Sequence, residues 1–413
     1  MKMVKIGFLG MGNIGSGVVR VLRKNAALLR ETQDVDFLIV RALVRDVNKA
    51  KGRIPGLGGG ILTTDVSDIV DNPDVDIVVE VMGGGEPAAT YMERALLNGK
   101  TVVSANKSAV APAWPRLEAA ARKSGAGLYY EASAGGGVPV IDVLKNSMQA
   151  NHITSVMGII NGTTNYMLWR MLEAGMDYDA ALAEAQELGY AEPDPTFDVG
   201  GMDAVFKLSI LASLAFRRHV PVGAIAYDGI TQIAAQDISL GKKLGMTLKL
   251  LGIGKDHGDS CEAHGYPTFI PNTHPMASVQ DAFNAIYLTG DMVGESMLYG
   301  RGAGALPTAS AIVSDLVRAS KTQKHAYCTF FDENGNAKRA VVKNDAESAF
   351  FLRFAGEDTD KITRRLAAAG LKVRAIAAEE GECAALVEPA REETVREAAK
   401  AAGDCRSVIR AEL

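Results

Sequence analysis

Short, nearly continuous apolar runs alternate with amphipathic stretches along the first third of the chain. Val4–Leu9 reads as a buried strand, Asn13–Arg30 as a helix and Val35–Val44 as the next strand. After a turn at Asn72-Pro73 come a strand over Asp76–Met82, a helix around Pro87–Asn98, the strand Thr101–Ser104, a helix to Lys123 and the strand Gly127–Ala132. This beat predicts an α/β fold whose first domain, residues 1–132, is a doubly wound parallel sheet. Gly56–Gly60 has no strand leading into it and reads as a surface turn. Past Gly135 the pattern changes to longer helices, Asp179–Leu188, Met202–Ala215 and Thr308–Ala319, with short strands between, which predicts an α+β domain over residues 133–327. Asn334-Gly335 between two apolar runs predicts a hairpin in the linker 328–347. Residues 348–413 then read strand Phe350–Phe354, helix Asp360–Ala369, strands Val373–Ala377 and Ala384–Val387, helix Glu392–Ala402 and strand Ser407–Arg410. That order, βαββαβ, is the ferredoxin-like unit.

Composition narrows the classes. The chain has 413 residues with 43 glycines against 14 prolines and only 6% aromatics, a balance that suits an α/β enzyme with many strand-to-helix turns. A net charge of −5 with no basic stripe argues against a nucleic-acid partner. No run approaches the ~18 apolar residues of a membrane span, and Met1–Ile6 leads into a strand with no signal-peptide pattern. The four cysteines, Cys261, Cys328, Cys383 and Cys405, are scattered, so neither a disulfide framework nor a zinc knuckle is expected. A soluble, cytoplasmic protein is the expectation.

Gly10-Met11-Gly12-Asn13-Ile14-Gly15 follows the first strand and opens the first helix, the context in which G-x-G-x-x-G marks a Rossmann-type dinucleotide site. Backbone N–H groups and the helix dipole would then face the pyrophosphate. At the tip of the second strand Arg45 comes first and Asp46 after it. Arg45, helped by Lys49 or Arg53, suits the 2′-phosphate of NADP; Asp46 could cap the next turn or take a ribose hydroxyl, which leaves NAD open.

The segment Gly189-Tyr-Ala-Glu192-Pro-Asp-Pro-Thr-Phe-Asp198-Val-Gly-Gly201-Met-Asp203-Ala-Val-Phe-Lys207 carries the chemistry. Its prolines display acidic side chains from a rigid loop, and a helix begins near Gly201. Asp203 and Lys207 are four apart, one turn along the same face. The bland alternative is an exposed ion pair worth a few tenths of a kcal/mol. Against it, Leu208–Phe216 is almost wholly apolar, so the helix must be largely buried and Lys207 placed at its mouth, where proton transfer is favoured. Lys107, at the carboxyl end of the strand Thr101–Ser104, is a second candidate, because open α/β sheets bind ligands there.

These residues resemble the homoserine dehydrogenase family. Ala185–Lys207 matches its signature throughout, and Gly10–Gly15, Ala105-Asn106-Lys107, Glu131–Pro139, Asn161–Tyr166 and Gly300–Gly304 fall in the family's order, over roughly residues 4 to 325. The resemblance implies reversible NAD(P)H-dependent reduction of L-aspartate 4-semialdehyde to L-homoserine, in the pathway to threonine, isoleucine and methionine. It implies Lys207 as proton donor, Lys107 beside the nicotinamide and substrate, Glu192 and Asp203 on the substrate ammonium, and Asp198 in support. Gly302 resembles a position touching the cofactor, on a segment whose helix, about 305–325, completes the nucleotide domain. A structural sodium ion is implied at Glu131, Ala134, Gly136 and Val138, and a homodimer or homotetramer is usual. Residues 348–413 resemble the family's ACT domain but carry Gly356-Glu-Asp-Thr-Asp360 where Asp-x-Pro-Gly is usual, which counts against threonine binding there and leaves dimerisation as the other reading.

Two rivals differ in their needs. An acylating aldehyde dehydrogenase requires a thiolate nucleophile, and no cysteine precedes Cys261. A non-catalytic nucleotide-sensing protein would leave the Asp203/Lys207 pair without a purpose.

Overall fold

The computed structural model describes residues 1–51, 58–322, 325–332 and 334–413. Its first sheet contains β1 (Lys2–Leu9), β2 (Val35–Leu43), β3 (Leu62–Thr63), β4 (Ile77–Glu80), β5 (Thr101–Ser104) and β6 (Leu128–Tyr129). They lie in the order β3-β2-β1-β4-β5-β6 with every pairing parallel. Winding reverses between β1 and β4, so the crevice at their carboxyl ends is the expected dinucleotide site. The expected helix Asn13–Arg30 is instead two, Asn13–Lys24 and Ala26–Gln33, parted at Asn25, whose ψ of 13° leaves the helical well. The strand expected over Gly127–Ala132 stops at Tyr129, because Glu131–Ser133 closes into a 3-10 turn.

The second sheet corrects the expectation of short strands. β7 (Ile153–Ile159), β8 (Ala226–Tyr227), β9 (Met246–Asp256), β10 (Cys261–Pro271), β11 (Phe283–Gly290) and β12 (Gly294–Arg301) include an antiparallel pair of 11-residue strands, β9 and β10. The helix Met202–Phe216 covers one face: Leu208 and Leu211 pack with Ile286, Leu288 and Val156 in one core. Its surroundings explain why its whole circumference is apolar.

Residues 348–413 form β13 (Ser348–Ala355), helix Thr359–Ala368, β14 (Val373–Glu379), β15 (Glu382–Ala390), helix Glu392–Ala402 and β16 (Cys405–Ala411). The strand order β16-β13-β15-β14 is that of a ferredoxin-like unit. β16 also pairs with β10, at Thr268↔Arg410 and Phe269↔Ala411, so the two sheets are one ten-stranded sheet. The period of two in β13 explains how both faces are buried. Phe350, Leu352 and Phe354 pack under the two helices, while Phe351 turns the other way onto Phe269, ring centroids 4.5 Å apart. At the expected Asn334-Gly335 hairpin the described residues form one antiparallel bridge, Phe331↔Ala337; Glu333 lies outside the described residues, as do Arg53 and the first half of the Gly56–Gly60 turn.

Candidate active site

At the end of β1 the chain turns through Gly10 at φ +96°, and a Cβ there would stand 2.9 Å from the Val81 carbonyl, so only glycine is accommodated. Gly12 caps the helix Asn13–Lys24, and a Cβ on it would meet nothing within 4 Å. Backbone is thus bare where a pyrophosphate would approach. Asn13 is exposed, Ile14 half-buried and Gly15 buried, and no acidic residue in the first turn opposes the positive end of the helix. Beyond β2, Arg45 is exposed. Asp46 is occupied: its Oδ1 accepts from the Asn48 and Lys49 N–H groups at 2.9 and 3.1 Å, capping the turn Val47–Ala50.

The signature helix brings its acid and base together as the i, i+4 spacing predicts, but the pair is buried rather than exposed. Lys207 Nζ donates to Asp203 Oδ2 at 2.7 Å and to the Ile160 carbonyl at 2.6 Å. Lys107 reaches across from the nucleotide sheet to Asp203 Oδ1 at 3.1 Å, its ammonium 5.5 Å from the Phe197 ring. Asp203 therefore stands between two lysines from different domains. Burial alone would push its carboxyl up, but Lys207 and Lys107 override that and hold it at about 2. Asn161 Nδ2 links the acids, donating to Asp198 Oδ1 at 2.7 Å and Asp203 Oδ2 at 2.9 Å. Burial, then the charge on Asp203, raises the Asp198 carboxyl above its ordinary value. Glu192 is not brought into this cluster: it is exposed on its loop and its side chain makes no hydrogen bond or ion pair among the described residues.

The turn after β6 presents Glu131, whose Oε1 accepts from Ile141 N and Oε2 from Asp142 N, both at 2.8 Å, with Arg318 Nη2 at 3.1 Å from Oε2. The carbonyls of Ala134 and Gly136 accept no hydrogen bond among the described residues, whereas that of Val138 takes Val140 N at 2.9 Å. Gly136, at φ +59°, lies so close to Gly302 that a Cβ would sit 2.0 Å from the Gly302 carbonyl. That contact ties the turn to the segment that leads into the helix Ala305–Lys321, which packs on β1's nucleotide core through Ala309, Ile312 and Leu316.

Two family models match in tandem: the homoserine dehydrogenase NAD-binding domain over residues 10–131 and homoserine dehydrogenase over 139–317. The homoserine dehydrogenase of Bacillus subtilis is 43% identical over 324 residues, 78% of this chain and 74% of the relative. This chain belongs to the homoserine dehydrogenase family. The enzyme of Synechocystis is 45% identical over 76% of this chain and 72% of its own. Among solved structures, a homoserine dehydrogenase from Thiobacillus denitrificans superposes with a TM-score of 0.90 and 38% identity, covering 100% of this chain and 99% of the other. That of S. aureus gives 0.83 and 33% over the same shares. The protein is thus an NAD(P)-dependent oxidoreductase that interconverts L-aspartate 4-semialdehyde and L-homoserine, and the non-catalytic reading is set aside.

Three residues of the site were given no role from the sequence. Asn161 stands in the segment Asn161–Tyr166 that carries the resemblance and caps a helix, accepting from Thr164 N at 2.8 Å; its second task, bridging two carboxylates, needs the fold. Ile160 acts through a backbone carbonyl and leaves no side-chain signal at all. Glu80 has the clearest trace, a lone carboxylate closing the apolar strand β4.

Proposed function

We propose that Lys207 carries the proton of this reaction, giving it to the aldehyde oxygen in reduction and taking it from the homoserine hydroxyl in oxidation. The observation that carries this reading is the double engagement of Asp203, which holds the Lys207 and Lys107 ammonium groups at 2.7 and 3.1 Å in one pocket. The nicotinamide cofactor, when bound, supplies or accepts the hydride. Everything else falls to the chain. Asp203, held at about 2, stays ionised throughout the working range and anchors the lysine amine. The Ile160 carbonyl fixes that amine's direction, so the proton has a defined aim. Asp203 and, from its exposed loop, Glu192 are read as the carboxylates that take the substrate's α-ammonium, with Asp198 in support through Asn161. The test is homoserine-dependent reduction of NADP⁺ at alkaline pH. Lys207→Ala should lower kcat by about 10²–10⁴ while the KM for NADP⁺ stays within about twofold. Wild-type turnover by that variant would remove Lys207 from the role.

Gly10, Gly12, Asn13, Ile14 and Gly15 are read as the pyrophosphate cradle, with Gly302 beside the cofactor. Asp46's engagement as a cap supports NADP, bound through Arg45, over NAD. The turn Glu131–Val138 is read as the seat of a sodium ion held by the Glu131 carboxylate and the carbonyls of Ala134, Gly136 and Val138. Its hard oxygen donors and the two unclaimed carbonyls support this, and the ion's part there is structural. In residues 356–360 the acids are used locally: Asp358 caps the helix Thr359–Ala368, and Glu357 Oε1 accepts from Gly381 N at 2.7 Å. That supports an ACT-like unit that serves assembly rather than threonine binding, and threonine titration by calorimetry checks it. A homodimer or homotetramer, to be read by sedimentation, and a cytoplasmic location complete the reading. Four free cysteines and the absence, among the described residues, of a helix long and apolar enough to cross a membrane support the location.

A further inference from the structure

Glu80 ends β4 at the point where the sheet order reverses, between Leu9 of β1 and Ser104 of β5 in register. It is fully buried, and no cation pairs with it among the described residues. A buried carboxylate of this kind is costly unless its lone pairs are used. They are used on the machinery of the neighbouring strand. Ser104 Oγ donates to Oε2 at 2.6 Å, the Met82 N–H donates to Oε1 at 2.8 Å, and Asn106 Nδ2 approaches Oε1 at 3.3 Å. The same Ser104 hydroxyl accepts from Asn106 N at 3.0 Å.

Asn106 is the hinge of the arrangement. Its Nδ2 also donates to the Gly84 carbonyl at 2.8 Å, and its Oδ1 caps the helix Lys107–Ser124 by accepting from Ala109 N at 3.2 Å. In its ionised form Glu80 accepts but cannot donate, so together with the Met82 and Gly84 carbonyls it favours the nitrogen end of the Asn106 amide on its side. The oxygen is thereby turned to the helix and the nitrogen to the turn Met82–Gly84. Lys107 is the next residue, and its reach to Asp203 depends on where that helix begins.

We propose that Glu80 is a positioning residue for the reaction, acting through Ser104 and Asn106 to set the start of the helix that presents Lys107 to Asp203. This rests on the reading that Lys107 contributes to turnover. Loss of the carboxylate takes one acceptor from the Asn106 amide, the partner of the Ser104 hydroxyl and the acceptor of Met82 N, which loosens the start of the helix, while Lys207 keeps its own bonds to Asp203 and Ile160. Gln at this position retains an oxygen for Met82 N and Asn106 Nδ2, and the Ser104 hydroxyl can rotate to accept from the new amide, so its effect should be slight.

The experiment is a double-mutant cycle in the full-length enzyme with homoserine and NADP⁺. Glu80→Ala is expected to lower kcat/KM by about tenfold, Glu80→Gln by less than threefold, and Lys107→Ala by more than tenfold. In the Lys107→Ala background, Glu80→Ala should cost less than twofold further, because the residue it positions is gone. Losses that multiply independently overturn the proposal. Wild-type turnover by Lys107→Ala would place the fault in the reading of Lys107, and the proposal falls with it. If Glu80→Ala does not fold, Asn106→Ser replaces it in the cycle, since serine still caps the helix but lacks the amide donor; the same loss of additivity is expected, and multiplicative losses refute it.

Discussion

Arg45 and Asp46 are adjacent and opposite in charge, and what separates their roles is a hydrogen-bond commitment. Asp46 spends an oxygen on two N–H groups of the next turn, while Arg45 stands exposed beyond the strand. A guanidinium recognises a phosphate through paired donors and gains little from a ribose hydroxyl. The wild-type enzyme should therefore favour NADP⁺ over NAD⁺ by about tenfold or more in kcat/KM, and Arg45→Ala should erase most of that ratio. Equal values in the wild type would contradict it. Glu80 makes a different prediction, in stability. Burial raises its carboxyl from 4.5 to about 7, so the native state holds that proton more tightly than the unfolded chain does. Its contribution is complete below about 4.5 and is lost as the pH rises through about 7. The stability of Glu80→Gln relative to wild type should accordingly grow across that window in urea titrations, and a constant difference would show that the carboxyl is not perturbed. The Asp203/Lys207 pair was legible from spacing alone, since side chains four apart on a helix must meet. Its burial was legible from the apolar run that follows. That Lys107 would close on the same carboxylate was not, because 96 positions part Lys107 from Asp203 and no local rule joins them.

Among elements, the parallel sheet was readable because each strand is a short apolar run set between helix patterns. The break at Asn25 was not, since Val18–Leu29 keeps a continuous apolar stripe through it. β9 and β10 were missed for a related reason. Both are buried on each face, so the alternation that marks a half-buried strand is absent. The turn Glu131–Val138 belongs to this scale, because its proposed ion would be held by backbone as much as by side chain. Transfer from a choline salt to sodium chloride at equal ionic strength should raise the Tm by about 3 °C or more, through binding to the native state alone. An unchanged Tm would count against the ion.

At the scale of the molecule, β16 joins the C-terminal unit to the catalytic sheet through only two residue pairs, yet polar contacts across the same junction are buried. Arg353 on β13 donates through Nε to Asp237 Oδ1 at 2.7 Å and through Nη1 to Glu382 Oε2 at 2.7 Å. Asp237 is fully buried in the helix Ala235–Lys243, and Ser407 also donates to it. Removing the arginine leaves that carboxylate without its cation. Arg353→Ala should cost about 3 kcal/mol in urea unfolding, far beyond a surface ion pair. A loss below about 1 kcal/mol would mean the junction is held by the Phe269/Phe351 contact instead.

By itself the amino-acid sequence determined what local periodicity and fixed spacing can encode: the parallel α/β domain, the glycine turn after β1, the βαββαβ order and the acid–base pair one helical turn apart. Tertiary structure alone decided which distant groups converge. It closed Lys107 onto Asp203, put Asn161 between two carboxylates, committed Asp46 to a cap and fused two sheets through β16. Those outcomes depend on chain folding over long separations, where burial and hydrogen-bond satisfaction choose among partners that sequence patterns leave equivalent.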